Sequence, residues 1–258
     1  MDLRSFEADG LRVEESERIA VVSLSTPPNR FTLALIQSLT GVVQELRTCT
    51  EIRCVWLRAE GADFSHGADL RDSKLAALVM QDDASRRYLA ELGQDLIESW
   101  MALPMPTVVS CRGHVLGAGA CLMAASSFRY ATPDARCGFP EVGLGMSLSW
   151  GILPRLVREF GPNWTRRMVI EGEQVSMSKL GSGSVRIVPA DSLDSKALSL
   201  AKEIAEKPAS AVRHTLELLQ ALEQAHQEHA LSDARRFTST AGSDEFKEAV
   251  LRFLGAKE

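Results

Sequence analysis

The sequence is short of positive charge. Its 29 Lys and Arg against 34 Asp and Glu leave a formal net charge of −5 over 258 residues. A nucleic-acid-binding chain needs a basic face, so general nucleic-acid binding is excluded, and a local basic patch for phosphates stays open. A disulfide framework is missing too. The five cysteines, Cys49, Cys54, Cys111, Cys121 and Cys137, are odd in number, none is paired as CxxC, and most lie in apolar runs. Reduced, buried thiols in a cytoplasmic protein are expected instead. There is no long apolar run: the least polar stretch, Thr107–Ala125, is interrupted by Arg112, His114 and several glycines, so no membrane span is expected. Met1–Arg18 is studded with Asp, Glu and Arg and does not read as a signal peptide. G-x-G-x-x-G and G-x-x-x-x-G-K-[ST] are both missing, which removes the dinucleotide and P-loop fingerprints. No internal repeat is found, and no metal site is expected.

What is present is ordinary for a globular protein, with 45% hydrophobic and 24% charged residues. At this length roughly three-quarters of the unfolded chain's surface can be buried, so a core forms without staples, in one large domain or two small ones. Leu11–Glu15 and Ile19–Ser25 read as strands. Thr32 caps a helix whose apolar positions Leu35, Ile36, Leu39, Val42, Val43 and Leu46 share one face. Arg53–Ala59 is a short β-rich run. Tyr88–Met101 is an amphipathic helix stopped by Pro104 and Pro106. Thr107–Cys111 is a buried strand, Arg112–Gly119 a glycine loop, Ala120–Ser126 a helix of small residues and Phe128–Thr132 another strand. Alternation of strand, glycine loop and helix is the α/β signature. Beyond Trp150 the chain reads as mostly helical, with a break at Lys179–Ser184, a short strand at Val185–Val188, a long helix over Ser210–Phe237 and a last one over Phe246–Leu254.

Two junctions stand out, His66-Gly67-Ala68-Asp69-Leu70 and Leu116-Gly117-Ala118-Gly119-Ala120. Each is expected to follow a buried strand and open a helix, where backbone N–H groups are unpaired and carry partial positive charge. Small residues let a ligand approach that backbone. Two such turns facing each other would supply convergent donors for a developing oxyanion. Tight turns in a compact sheet would leave the same pattern.

The stretch AEGADFSHGADL (Ala59–Leu70) resembles the first signature of the enoyl-CoA hydratase/isomerase, or crotonase, superfamily. GHVLGAGACLMAASSFRYAT, followed by CGFPEVGLG and LPRLVREFG, resembles the second, and SDEFKEAVLRFL resembles the family's C-terminal helix. The resemblance runs from about Leu11 to the end of the chain. It implies a crotonase-like (ClpP/crotonase) ββα spiral core over residues 1–195 and a C-terminal helical subdomain over 196–258 that completes the coenzyme A site and the oligomer, a homotrimer or homohexamer. It also implies an acyl-CoA thioester substrate with no separate cofactor. The amides of Ala68 and Ala118 would hold the thioester oxygen, flanked by Gly67, Asp69, Leu70 and Gly117 along the substrate. Glu141, in Phe139-Pro140-Glu141, matches the catalytic glutamate, whose pKa an apolar pocket can raise toward neutrality. Arg30 lies where the family contacts the nucleotide end. Lys247 and Phe253 match the helix that packs on the adenine of a neighbouring subunit.

The departures from the family pattern bear on the reaction. Family hydratases carry a second glutamate, in LGGGCEL, where this chain has LGAGACL and Cys121. Hydration needs one group to activate water and another to protonate carbon, whereas a 1,3-proton shift needs only one carboxylate that removes and returns the proton. Double-bond isomerisation is therefore expected ahead of hydration. His66 and His114 could stand in for the missing glutamate, which keeps carbon–carbon bond cleavage, by decarboxylation or diketone hydrolysis, as an alternative. A non-catalytic CoA-ester-binding homologue is a third. Met146-Ser147-Leu148-Ser149-Trp150 replaces the glycine pair of many relatives, and Leu148 and Trp150 are expected to narrow the acyl pocket.

Overall fold

The computed structural model describes residues 5–181, 183–224, 237–238 and 240–255. Its frame is a seven-stranded sheet in the order β1-β2-β3-β4-β5-β7-β10. β1 (Ser5–Ala8), β2 (Leu11–Ser16) and β3 (Ile19–Leu24) form an antiparallel meander. From β3 onward the sheet is parallel, through β4 (Cys54–Ala59), β5 (Thr107–Cys111), β7 (Phe128–Ala131) and β10 (Arg186–Ile187). β3, β4 and β5 are rich in Val, Leu, Ile and Cys, and all four central strands are mostly buried, as expected where helices cover both faces.

A second sheet, β6 (His114–Leu116), β8 (Arg136–Gly138) and β9 (Val175–Ser176), is not anticipated by the sequence reading. Strands of two or three residues are too short to show a period. This sheet is prolonged by single parallel bridges, Ser65 to Val115 and Phe31 to Ala68. Each turn of the chain thus lays one strand in the large sheet, one strand or bridge in the small one, and then a helix. The crotonase-like ββα spiral expected above is the fold observed.

The helices of the core are α1 (Leu33–Thr48), α2 (Ser73–Met80), α3 (Asp83–Met101), α4 (Ala118–Ala125) and α5 (Leu153–Val169). Thr32 caps α1 as anticipated, its Oγ1 accepting from the Leu35 amide at 3.1 Å, and the six apolar residues named above are all buried. α5 is broken at Gly161, just before Pro162. α6 (Leu193–Ala205) covers the opposite face of the large sheet, packing Leu193, Ala197, Ala201 and Ile204 on Trp56, Val108 and Tyr130. α7 (Ala209–Gln224) and α8 (Asp244–Gly255) follow. The rest of the helix expected over 210–237, with His226 and His229, lies outside the described residues. Phe237, Ala241, Phe246 and Val250 are buried in the main core with the residues of α1, α3 and α4.

Candidate active site

The second glycine turn is built by the small sheet. β6 ends at Leu116, and Gly117 turns the chain with φ 50° while its amide donates to the Gly138 carbonyl of β8 at 3.1 Å. α4 starts at Ala118, two residues earlier than the sequence reading places it. The Ala118 amide is therefore the first of the helix and has no acceptor among the described residues. All eight residues of α4 are buried. Gly119 lets the helix sit directly on the Ser65 side chain, where a Cβ would collide.

The first turn works differently, and here the expectation of a helix start fails. α2 begins only at Ser73, capped by Asp72, and Ala68 lies in a strand-like bridge with Phe31 rather than at a helix start. The Phe31 amide donates to the Gly67 carbonyl and the Asp69 amide to the Phe31 carbonyl, both at 2.9 Å. Alternation along such a bridge turns the Ala68 N–H to the other side, where no acceptor is present among the described residues. Ser65 Oγ holds the turn, accepting from the Gly67 amide at 3.1 Å and donating to the Asn29 carbonyl at 2.7 Å. The two turns abut. A Cβ on Gly117 would stand 3.4 Å from the Gly67 Cα, and 3.0 Å from Glu141 Oε1.

Glu141 opens the short helical turn Val142–Leu144, and its carbonyl accepts from the Leu144 and Met146 amides. The residue as a whole is half-buried, but its carboxylate Oε2 is closed off from solvent and has no hydrogen-bond partner among the described residues. Burial raises its pKa from 4.5 to about 7. Cys121, buried on α4, has its thiol pKa pushed well above the ordinary value by burial first and by Glu141 second. It is therefore a neutral, apolar wall rather than an acid or a nucleophile.

Ala68, Ala118, Glu141 and Cys121 line a pouch of about 70 Å³ closed by Leu148 and Trp150, together with Leu70 and Phe237. Trp150 stands edge-on to Phe31 at 6.1 Å between ring centroids and fills the place where a side chain on Gly93 would go. Leu148 and Trp150, expected to narrow the acyl pocket, both line this pouch. Outside it lies a cleft of about 420 Å³, bordered by Arg30, His66, Gly67, Asp69, Arg71 and Gly117, with Ala68, Leu70 and Glu141 common to both spaces. The sequence reading missed Arg71, whose only signal is its place next to Leu70. Lys247 is exposed on α8, paired with Asp244 at 2.9 Å, and lines neither space. The Phe253 side chain lies outside the described residues. A larger cavity of about 670 Å³, between the end of α3, the start of β5 and α7, borders neither glycine turn. The candidate site rests on Glu141 and the two amides rather than on cavity size.

His66 and His114 are brought together by a residue to which the sequence reading assigned nothing. Asp63 Oδ2 lies 3.0 Å from His66 Nε2, and Oδ1 lies 2.8 Å from both His114 Nδ1 and the His114 amide. Burial alone would raise the Asp63 pKa, but the bonds from the His114 amide and the two rings outweigh it and hold the carboxyl at about 2. Only His66 reaches the outer cleft; His114 borders neither space. His214 is exposed on α7.

Comparison with known proteins is consistent with this geometry. The family model described as enoyl-CoA hydratase/isomerase matches residues 14–258. A Bacillus subtilis protein named "Probable enoyl-CoA hydratase" is 31% identical over 241 residues, covering 92% of each chain. The 2,3-dehydroadipyl-CoA hydratase of Escherichia coli is 25% identical over 252 residues, covering 95% of each. An enoyl-CoA hydratase/isomerase structure from Xanthobacter autotrophicus superposes with a TM-score of 0.84 at 24% identity, over 96% of this chain and 94% of the other.

Proposed function

This chain belongs to the enoyl-CoA hydratase/isomerase family, and on that premise we propose that it moves the double bond of a short enoyl-CoA thioester through an enolate. The observation that carries the proposal is the buried, unpartnered Glu141 Oε2 in the same pouch as two amides without acceptors. An acyl group enters the pouch with its thioester oxygen against the Ala68 and Ala118 N–H groups. A proton leaves the α-carbon for Glu141, the carbon's electron pair becomes the enolate, and charge gathers on the oxygen the amides face. Each such donor stabilises the developing charge by roughly 3–4 kcal/mol. Glu141 then returns the same proton to the γ-carbon, and the double bond has shifted by one position. A pKa near 7 suits a group that must both accept and release a proton at neutral pH.

Arg30 and Arg71 at the cleft mouth are suited to phosphates of coenzyme A. A trimer or pair of trimers is part of the same proposal. Leu218 and Leu219 stand exposed on α7, and Lys247, which lines neither the pouch nor the cleft, would serve a neighbour's site. Light scattering at a mass of one chain would remove this part.

Glu141→Gln is expected to lower kcat by about 10²–10⁴-fold, the usual worth of a positioned proton carrier, with KM little changed. Unaltered turnover of 3-enoyl-CoA substrates would remove Glu141 from the chemistry. Hydration is the second reading, favoured by the hydratase names of the relatives above. It would leave Glu141 alone to serve both water and carbon, since Cys121 brings no carboxylate. Loss of the conjugated 2-enoyl absorbance in the purified enzyme would establish it; conversion of 3-enoyl to 2-enoyl thioester alone would leave isomerisation. Activity on cyclic diketones without coenzyme A would instead favour carbon–carbon cleavage with His66, and tight ester binding without any turnover would favour the non-catalytic homologue.

A further inference from the structure

We propose that Asp63, His66 and His114 form a binding site for one divalent transition-metal ion, zinc foremost, that ties the two glycine turns together. The three side chains bring one carboxylate and two imidazole donor atoms within 4.8 Å of one another. The carboxylate-to-ring distances of 2.8 and 3.0 Å are a few tenths of an ångström shorter than the spacing, about 3.3–3.6 Å, of neighbouring ligands around a tetrahedral ion bonded at about 2.0–2.2 Å, so small outward shifts of the two rings would admit the ion. The carboxylate is held in place beforehand. The His114 amide donates to Oδ1 at 2.8 Å, and the buried Asn29 Nδ2 donates to the Asp63 carbonyl at 3.0 Å. Gly113 leaves room where a Cβ would strike the Asp63 carboxylate. All three side chains are partly exposed, from 24% for Asp63 to 43% for His114, so water can complete the coordination shell. Two imidazoles with one carboxylate suit zinc, copper or nickel and are poor company for magnesium or calcium. Asp63 and His66 belong to the segment that carries Ala68, and His114 begins the strand that leads to Ala118. An ion there would fix the two amide-bearing segments relative to each other, independently of which thioester reaction the enzyme performs.

The test is calorimetric titration of chelator-stripped protein with zinc chloride, with magnesium and calcium chloride as controls. One zinc equivalent per chain is expected, with no saturable response to the controls. A saturating excess of zinc should raise the melting midpoint by about 5 °C or more. His114→Gln, at a residue that borders neither the pouch nor the cleft, and Asp63→Asn should each weaken zinc binding by at least about tenfold while keeping the circular dichroism of the parent. Zinc binding left intact in both variants, an equal response to magnesium, or no saturable binding at all would overturn the proposal and leave an internal hydrogen-bond network only.

Discussion

Around Leu116–Ala120 the amide of Ala118 comes free because a helix begins there. Around His66–Leu70 the amide of Ala68 comes free because bridge pairing alternates, and its neighbours 67 and 69 take both bonds to Phe31. The second turn is dry, runs into a fully buried helix, and faces Glu141. The first is wetter, with Ala68 exposed and His66 open to the cleft. Two similar-looking glycine strings thus supply the same chemical group by different means. A spiral fold stacks successive turns of chain, so a strand edge from one turn can meet a helix start from the next.

Substitutions at the two turning glycines should break this comparison most sharply. Gly117→Ala puts a methyl group 3.0 Å from Glu141 Oε1 and 3.4 Å from the Gly67 Cα, at a φ of 50°. Carboxylate and amides are displaced together, and kcat should fall by about 10²–10³-fold, as for loss of one oxyanion donor. Gly67→Ala meets only the Leu116 carbonyl at 3.3 Å and the Gly117 Cα at 3.5 Å, at φ 77°. Its strain of roughly 1–2 kcal/mol predicts a loss nearer tenfold. Equal losses in the two variants would show that the turns are equivalent after all.

The dryness of the second turn can be read in stability. Burial raises Glu141 to about 7 from its ordinary 4.5, so between those values the folded chain holds a proton that the unfolded chain has lost. This contribution is complete below about pH 4.5, declines as pH rises toward 7, and is gone above it. It amounts to about 3 kcal/mol. Glu141→Gln keeps a neutral side chain at all pH values and should be the more stable protein at pH 8 by up to that amount, with no advantage at pH 4. Urea melts at the two pH values measure this, and a pH-independent difference would place the carboxylate in water.

The smallest expected effect concerns how far the dry side extends. Trp150→Ala should open the pouch toward Gly93 and raise kcat/KM for longer enoyl-CoA chains relative to a four-carbon chain by about tenfold, the scale of one or two methylenes of fit. An unchanged chain-length profile would mean that the acyl group does not enter beside Trp150.

Much of this site is legible in the sequence. The alternation of strand, glycine loop and helix and the capped helix at Thr32 are both found in the structure, and the strings around Gly67, Gly117 and Glu141 meet there. Local rules missed what is not local. β6, β8 and β9 are too short to carry a period, yet they set the position of Ala118. The helix expected right after Gly67 starts at Ser73 because Asp72, not the glycine string, caps it. Asp63 is one acidic residue in a loop until folding brings His114, 51 positions away, onto the same carboxylate.

The sequence by itself determined the alternating strands and helices, the glycines where backbone must come close to backbone, and the replacement of a second carboxylate by Cys121, because each depends on side chains a few positions apart. Only the tertiary structure decided that two amides would be left without partners on one pouch, that Glu141 would lie out of water beside them, and that Trp150 would close the far end. Those properties depend on what is excluded from a space, and a space is bounded by segments that are distant in the chain.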